Sequence, residues 1–379
     1  MCNSLLQFTF QFTEVKFTNL ICDQRIIMTN VNIDIKENDL LRLDPRIVNI
    51  LLRDKTTGEN LIWGTDNYAS LGKDYEENSF MRVELITGIN GEVIKPRCEK
   101  SKDEQQLRIR QKAEVFTPTW ICNVQNNLVD EAWFGKADVF NVVDGQVWYP
   151  TDKVVFSNKE EYGKGTWTDY ISLVRLEVSC GEAPYLVSRY DTSTGKEISI
   201  PMRIGLLDRK LRVVNEKVKT RKSWLRYARK AVQSCYGYDF QGDNVFLARE
   251  NVLQTVEDYY RAKFGEPLHI DQLLRFADII VWNIFQMDGL KYTVPNSCDR
   301  VITEPKIEQP SVFDKSGKGI KALKMTKQVL FEEMDIPCPG CEGKGRHRGT
   351  YCKIKDWLAG HGKVIEFASL IKGNIENER

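Results

Sequence analysis

Residues 175–186 have the sequence of a short strand that ends in a tight turn able to hold a small molecule. The apolar run carries one acidic residue, Glu177, and it breaks at Cys180 and Gly181. A glycine lets the backbone approach a ligand at a place where a side chain would block it. Ligands of open α/β sheets bind beyond the carboxyl ends of the strands. The pattern therefore predicts that Glu177 and Gly181 lie beside a bound small molecule.

A second acidic residue, Asp239, follows the run Tyr-Gly-Tyr at residues 236–238 and precedes an amphipathic segment. This order is typical of a strand that ends at a ligand before the next helix begins. An acidic side chain at the tip of such a strand accepts hydrogen bonds from paired ribose hydroxyls. Alone, Asp239 would more often be a turn or helix-cap residue. Because Asp239 follows the Gly181 turn along the chain, its interpretation as a ligand-binding residue is favoured.

Four segments in this order resemble the amino-adenine (N6) DNA methyltransferases in which a Phe-Thr-Pro segment precedes the cofactor strand. They are residues 113–120, 175–186, 236–251 and 276–286. Over most of its length the chain more closely resembles modification (M) subunits of bacterial restriction systems. The resemblance implies an α/β fold with a Rossmann-like S-adenosylmethionine-dependent methyltransferase core.

The resemblance also implies where S-adenosylmethionine binds. Glu177, Cys180 and Gly181 match the turn that holds the methionine end, although Ala183 replaces the second glycine of the family pattern. Asp239 matches the acceptor for the ribose hydroxyls. The segment that closes over the methionine moiety corresponds to Phe116, Thr117 and Pro118.

The catalytic loop of the family, Asn-Pro-Pro followed by an aromatic residue, corresponds to residues 283–286. Residues 278–282 have the composition of a buried strand, and Asn283 would accept a hydrogen bond from the target amine at its end. Phe285 would contact a base flipped out of the duplex, beside Gln286 at the usual stacking position. Both prolines are missing. A strand that ends in Asn is more often only a strand with a turn residue.

A basic segment lies between the cofactor turn and Asp239. Residues 203–230 contain eleven basic and two acidic residues, whereas the net charge of the whole chain is only +1. Basic side chains that neutralise phosphates give salt-dependent affinity for DNA. A solvated helix face would have the same composition. We expect contacts with the DNA backbone from Arg221, Lys222, Arg226 and Arg229.

The second chemical pattern is Cys-x-x-Cys-x-Gly-x-Gly at residues 338–345, which is similar to one zinc-binding repeat of the DnaJ chaperone type. Zinc prefers four tetrahedral ligands, and two cysteines on one turn supply half of such a site. The predicted ligands are Cys338, Cys341, His347 and Cys352, with Cys298 competing for the fourth position. The alternative is an ordinary reduced turn without metal.

Composition predicts a cytoplasmic protein. No apolar run approaches the length of a membrane helix, and residues 1–16 lack the pattern of a secretory signal. The ten cysteines are scattered, which favours free thiols over a disulfide framework.

Three regions are expected along the chain. Residues 1–100 alternate apolar and polar positions, as at 8–12, and so predict a β-rich region. Residues 101–295 form the methyltransferase-like core with the basic insertion, and residues 296–379 form a linker and a small Cys-rich region. The chain after Gln286 is too short for three further strands and a target-recognition domain. The sheet is then completed by the N-terminal region, or truncated, or complemented by another subunit.

Two functions remain open from the sequence. The first is a DNA adenine-N6 methyltransferase (modification) subunit of a restriction-modification or related defence system. The second is a catalytically degenerate, methyltransferase-like DNA-binding or scaffold subunit of a restriction complex. Both imply double-stranded DNA and a specificity or nuclease subunit as partners, and neither involves a membrane.

Overall fold

The computed structural model describes residues 33–112, 114–115, 117–156, 165–298, 301–303, 334–336, 338–359 and 362–371. The helices in this part of the chain are α1 (Glu37–Leu43), α2 (Pro45–Leu52), α3 (Val83–Ile86), α4 (Lys102–Lys112), α5 (Thr119–Phe134), α6 (Trp167–Ser172), α7 (Leu206–Lys217), α8 (Arg221–Gln233), α9 (Gly242–Phe264) and α10 (Ile270–Asn283). The strands are β1 (Asn141–Asp144), β2 (Val147–Pro150), β3 (Arg175–Val178), β4 (Cys235–Asp239), β5 (Ile284–Gln286), β6 (Val301–Thr303), β7 (Met334–Ile336), β8 (Lys353–Asp356) and β9 (Lys363–Glu366). The fold is therefore mixed α/β, with helices and small sheets, as predicted.

Three parallel strands, in the order β3-β4-β5, form the central sheet. Val178 pairs with Tyr238, and Asp239 pairs with Gln286, so the carboxyl ends of the strands lie at one edge. Helices α7 and α8 connect β3 to β4, and helices α9 and α10 connect β4 to β5. Parallel strands need such crossovers, and they place all strand ends on the same side.

Helix α9 is the centre of the main core. Most of its 23 residues are buried, including a guanidinium, that of Arg249. Arg249 donates through Nε to the carbonyl of Ile284 at 2.8 Å and through one terminal nitrogen to the carbonyls of Leu51 and Arg53. Because a buried cation is costly unless its donors are satisfied, these contacts tie the N-terminal region, α9 and β5 together.

The predicted β-rich region is wrong for residues 33–100. This part contains α1, α2, α3 and short 3₁₀ helices, with only isolated bridges such as Ile62 to Phe80 among its described residues. Helix α2 begins with a proline after Asp44, whose carboxylate accepts from the amide of Arg46, and this favours a helix start. Its apolar residues face one side and enter the core. The alternating segment at 8–12 lies outside the described residues.

The predicted strand at residues 278–282 is also wrong, because these residues form the last turns of α10. A short apolar run cannot by itself distinguish a buried strand from a buried helix. Here the run continues a longer helical pattern that begins at His269, whose ring accepts from the amide of Asp271. Helix α10 packs on α2, α8 and α9, and this packing decides the conformation.

The Cys-rich region builds a second, smaller core against the sheet. The β8–β9 hairpin and the segment after it pack on the aromatic rings of Tyr238 and Phe285, with Phe367 at 5.8 and 5.7 Å from them. Within the described residues, no helix is both long and apolar enough to cross a membrane.

Candidate functional site

A crevice of about 550 Å³ lies at the carboxyl edge of the central sheet. Its floor is formed by the ends of β3 and β4 and by the turns that follow them, residues 177–181 and 239–241. Other parts of the wall are formed by Gly64, Thr65, Lys112, Glu114, Val115 and Thr117. The size is that of a typical small-molecule site.

The turn after β3 has the backbone geometry that a ligand-binding turn requires. Gly181 has a φ of 52°, and Ser179 and Ala183 also lie in the left-handed region, at 50° and 64°. Ala183 therefore adopts a conformation that favours glycine, at the cost that this region imposes on a side chain. The amide of Gly181 donates to Asp239 Oδ2 at 2.9 Å, which joins the turn to the tip of β4.

Glu177 lies beneath this turn. Its two carboxylate oxygens accept from the amides of Tyr185 and Leu186 at 3.2 and 3.1 Å. Burial raises the pKa of Glu177 to about 8, and the backbone hydrogen bonds oppose this shift only in part. A positively charged ligand above the turn would stabilise the ionised form.

Asp239 closes the floor of the crevice. Its oxygens accept from the amides of Gly181 and Gln241, the latter at 3.0 Å. Burial raises the pKa of Asp239 to about 6, while these hydrogen bonds lower it. The side-chain amide of Asn244 also donates to Asp239 Oδ1, at 3.4 Å. A carboxylate has about four lone-pair sites, so Asp239 retains roughly one for a ligand hydroxyl.

Three buried polar atoms of the crevice wall have no hydrogen-bond partner among the described residues. They are Thr65 Oγ1, Glu114 Oε1 and Asn244 Oδ1, on side chains that are 5%, 7% and 1% exposed. The other carboxylate oxygen of Glu114 is fixed by Arg108 at 3.0 Å and by Gln241 at 2.9 Å. Buried polar groups are normally satisfied, so these two acceptors and one hydroxyl have hydrogen-bonding capacity that a water or a ligand could use.

The described lining of the crevice is acidic. Its carboxyl groups are Glu77, Glu114, Glu177 and Asp239. Its one basic residue, Lys112, forms an ion pair with Asp66 at 2.6 Å. Glu114 is paired with Arg108, and burial favours the neutral form of Glu177. A cationic ligand would favour ionisation of Glu177 and Asp239, whereas a phosphate would oppose it.

The structure brings together most of the residues predicted to bind the cofactor. Thr117, Glu177, Cys180, Gly181 and Asp239 all line the crevice. Pro118 directly precedes α5, and Phe116 lies outside the described residues. Sequence reasoning missed the role of Thr65, Glu114 and Asn244 as wall residues. Glu114 and Asn244 belong to the segments 113–120 and 236–251 that were singled out in the sequence. Thr65 reaches the site through long-range packing that no local pattern reveals.

The predicted catalytic residues are not part of the crevice. Asn283 lies at the opposite end of the sheet, where its amide donates to the carbonyls of Val232 and Cys235 at 2.9 Å and accepts from Trp357 Nε1 at 2.7 Å. Gln286 holds the backbone of Ile62 through a pair of hydrogen bonds. The ring of Phe285 is buried in the second core. All three side chains are occupied by packing.

The basic segment divides into two groups. Arg203, Arg209 and Lys210 are buried, with Arg203 and Arg209 in ion pairs to Asp258 and Asp130, both at 2.7 Å. They stabilise the fold rather than present charge to solvent. The four basic residues that were predicted to contact DNA lie on α8. Arg221, Lys222 and Arg226 are exposed, and Arg229 is half-buried. Arg221 pairs with Glu266 at 2.6 Å.

A second candidate site is a cluster of Cys298, Cys338, Cys341 and His347, whose ligand atoms all lie within 4.8 Å of one another. Such a cluster could bind a metal such as zinc. The predicted ligand Cys352 is not part of it, and Cys298 takes its place. Cys352 is fully buried in the second core, where its thiol donates to the carbonyl of Gln286 at 3.3 Å. Burial raises the pKa of this thiol, which keeps it protonated.

No protein-family profile matches the chain, no curated protein is detectably similar to it, and no solved structure matches its fold. The function must therefore be argued from the geometry of the two sites.

The structural role of Asn283 can be tested by Asn283→Ala. This change leaves the carbonyls of Val232 and Cys235 and the indole of Trp357 without partners, so we expect the free energy of unfolding to fall by roughly 3 kcal/mol. Urea denaturation followed by circular dichroism measures it. Trp357→Phe, which removes one of the three hydrogen bonds, should cost about 1 kcal/mol. An Asn283→Ala protein as stable as the wild type would contradict this role.

Proposed function

We propose that this protein binds S-adenosylmethionine in the crevice and is a methyltransferase-like subunit of a DNA-modification system. The observation that carries the proposal is the pairing of the Gly181 turn with Asp239 at the carboxyl edge of a parallel sheet. S-adenosylmethionine offers a ribose diol to Asp239 and a positive charge to the acidic lining.

The order of the strands supports a Rossmann-like core. Strands β3, β4 and β5 are adjacent and parallel in chain order, with helices in each connection. This is the arrangement of one mononucleotide-binding half of a doubly wound fold, in which the ligand lies beyond the strand ends. The long α9 begins at Gly242, shortly after Asp239.

The chemistry of the lining favours S-adenosylmethionine over a phosphorylated nucleotide. S-adenosylmethionine carries a sulfonium and an ammonium against one carboxylate, so its net charge is positive, and its ammonium, adenine amine and two ribose hydroxyls are hydrogen-bond donors. The crevice offers carboxyl groups and the unpaired atoms of Thr65, Glu114 and Asn244. Leaving such acceptors unpaired costs free energy, and a donor-rich ligand would recover it.

The second candidate function, a subunit without catalysis, is favoured by the state of the predicted catalytic loop. Asn283, Phe285 and Gln286 serve packing and hydrogen bonding instead of facing the crevice. The proposal therefore assigns cofactor and DNA binding to this chain and gives these three residues no part in methyl transfer. The DNA adenine-N6 methyltransferase remains the alternative, with a different acceptor for the target amine.

Isothermal titration calorimetry with S-adenosylmethionine tests the crevice directly. We expect Asp239→Asn to weaken binding about tenfold, because the amide cannot replace the carboxylate acceptor. Glu114→Gln, which lies outside the turn, should also weaken it. Asp271→Asn, on the exposed start of α10, serves as the matched control. ATP should not bind, and equal affinities for ATP and S-adenosylmethionine would contradict the proposal.

The same titrations have a predicted pH dependence. The ionised form of Asp239 accepts the ribose hydroxyls, and its pKa in the free protein is about 6. Affinity should therefore rise as the pH increases from about 5 to 7, with proton release on binding. Asp243 on α9 and Glu177 on β3 also face this carboxyl group. Glu177 titrates near pH 8, so the window below pH 7 isolates Asp239.

A transfer assay decides between the two functions. With tritiated S-adenosylmethionine and duplex DNA, we expect the purified chain to place no label on adenine, because the predicted catalytic side chains are occupied elsewhere. Cofactor binding measured on the same preparation shows that the protein is intact. Labelled adenine would favour the enzyme, and its loss in folded Asn283→Ala would restore the role that the sequence predicted.

DNA binding is tested on α8 by fluorescence anisotropy at several salt concentrations. Lys222→Ala and Arg226→Ala should each weaken binding to any duplex and reduce the salt slope by about 1. Arg42→Ala, an exposed arginine on α1, is the control. If the two α8 variants bind like the control, this helix does not contact DNA.

A further inference from the structure

We propose that a zinc ion held by Cys298, Cys338, Cys341 and His347 fixes the loop that forms one wall of the crevice. The metal site would be structural, and its occupancy would control the affinity of the crevice for its ligand. The link to affinity rests on the proposed function, whereas the metal site and the fixed loop do not.

The distances in the cluster fit tetrahedral zinc. His347 Nδ1 lies 3.8 Å from the sulfurs of Cys298 and Cys338 and 3.6 Å from that of Cys341. Bond lengths of about 2.3 Å to sulfur and 2.0 Å to nitrogen place tetrahedral sulfur and nitrogen ligands about 3.6 Å apart. The three nitrogen–sulfur distances are therefore close to those of a tetrahedral zinc site, and all four ligand atoms lie within 4.8 Å of one another.

The backbone around Cys338 and Cys341 is a tight turn that directs both sulfurs to one point. The amide of Cys341 donates to the carbonyl of Cys338 at 3.0 Å, and the amide of Arg348 donates to Cys338 Sγ at 3.1 Å. A side chain at Gly340 would collide with the backbone of His347, since a Cβ there would lie 2.5 Å from its nitrogen. The glycine thus allows His347 to fold back over the cysteine turn.

The ligand set indicates the metal and its role. Three thiolates and one imidazole form a Cys₃His site, a common structural zinc set that leaves no open coordination position. Soft thiolate ligands disfavour magnesium and calcium, which bind oxygen. The described cysteines are free thiols, so none of the three is consumed by a disulfide.

Cys298 connects the cluster to the crevice. It lies in a loop that is held by two contacts with the Cys-rich region, from the amide of Val294 to the carbonyl of Thr350 and from the amide of Thr350 to Ser297 Oγ. A side chain at Gly349 would lie 2.8 Å from Cys298 Sγ, so only glycine permits this approach. The coordination bond to Cys298 would be the strongest anchor of the loop.

Two residues before Cys298, the side chain of Asn296 reaches the crevice. Asn296 lines it and donates to the carbonyl of Gly64 at 3.4 Å, and Gly64 and Thr65 form the neighbouring part of the wall. Asn296 has a φ of 59°, a conformation that the surrounding structure must hold in place. Without metal, the three thiols and the imidazole have no common bond, and the loop keeps only its hydrogen bonds to Thr350.

The first experiment measures metal in the purified full-length chain by mass spectrometry after growth with zinc. We expect about one zinc per wild-type chain and less than about 0.2 in Cys298→Ala and His347→Ala, because a structural site needs all four ligands. Cys98→Ala and Cys352→Ala should retain it. Cobalt substitution should give the visible bands of a tetrahedral thiolate site in the wild type. Cys298→Ala and His347→Ala should lack these bands. Zinc-free wild type, or loss of zinc only in Cys352→Ala, would overturn the site.

The second experiment tests the coupling without relying on any ligand. Hydrogen–deuterium exchange of the zinc-loaded and chelated wild type should show faster exchange at residues 62–65 and 292–298 after zinc removal, with α9 unchanged. Asn296→Ala should keep its zinc and still expose residues 62–65. Equal exchange with and without zinc would refute the coupling.

Ligand affinity supplies the last readout. Zinc removal and Asn296→Ala should each weaken S-adenosylmethionine binding several-fold. If the loaded wild type binds no S-adenosylmethionine, the proposed function fails while the exchange data still decide the role of the metal. If it binds equally well with and without zinc, the crevice function stands and the control by metal falls.

Discussion

The hydrogen bond from the Gly181 amide to the Asp239 carboxylate is the contact on which the candidate site depends. It joins the turn after β3 to the tip of β4, and it can form only because the two strands are parallel neighbours in register. The left-handed conformation of Gly181 directs its amide toward the carboxylate. A shift of either strand by one residue would separate the two groups and remove the floor of the crevice.

Placing two carboxyl groups under one turn has an electrostatic cost. Burial raises the pKa values of both Glu177 and Asp239, which means that the empty site resists holding them ionised. A cationic ligand reverses this, because its charge compensates for the lost solvation. The same feature that destabilises the free site would thus favour a cationic ligand over a phosphorylated one, as the proposed function requires.

The sequence predicted the floor of the site well and its walls poorly. Glu177, Gly181 and Asp239 belong to local strand–turn patterns, and local patterns follow from the chain itself. Gly64, Thr65 and Asn296 reach the crevice by long-range packing, to which no short motif corresponds. The error at residues 278–282 has a related cause, since apolar composition indicates burial but not the choice between helix and strand. Cys298 was recognised as a competing ligand, yet only the fold could show that Cys352 is committed to the second core.

The crevice and the Cys/His cluster share one loop, which contains Asn296 and Cys298. The floor of the crevice is formed by the ends of β3 and β4. Part of its wall is formed by the loop that contains Asn296, and this loop contacts the Cys-rich region. Asn296 has one weak hydrogen bond at 3.4 Å to hold it against Gly64. One such bond contributes about 1 kcal/mol at most, which is comparable to the cost of its left-handed backbone. Val294 and Ser297 hold the segment through their contacts with Thr350. A metal bound by Cys298, as proposed, would add a further and stronger constraint on the position of this wall.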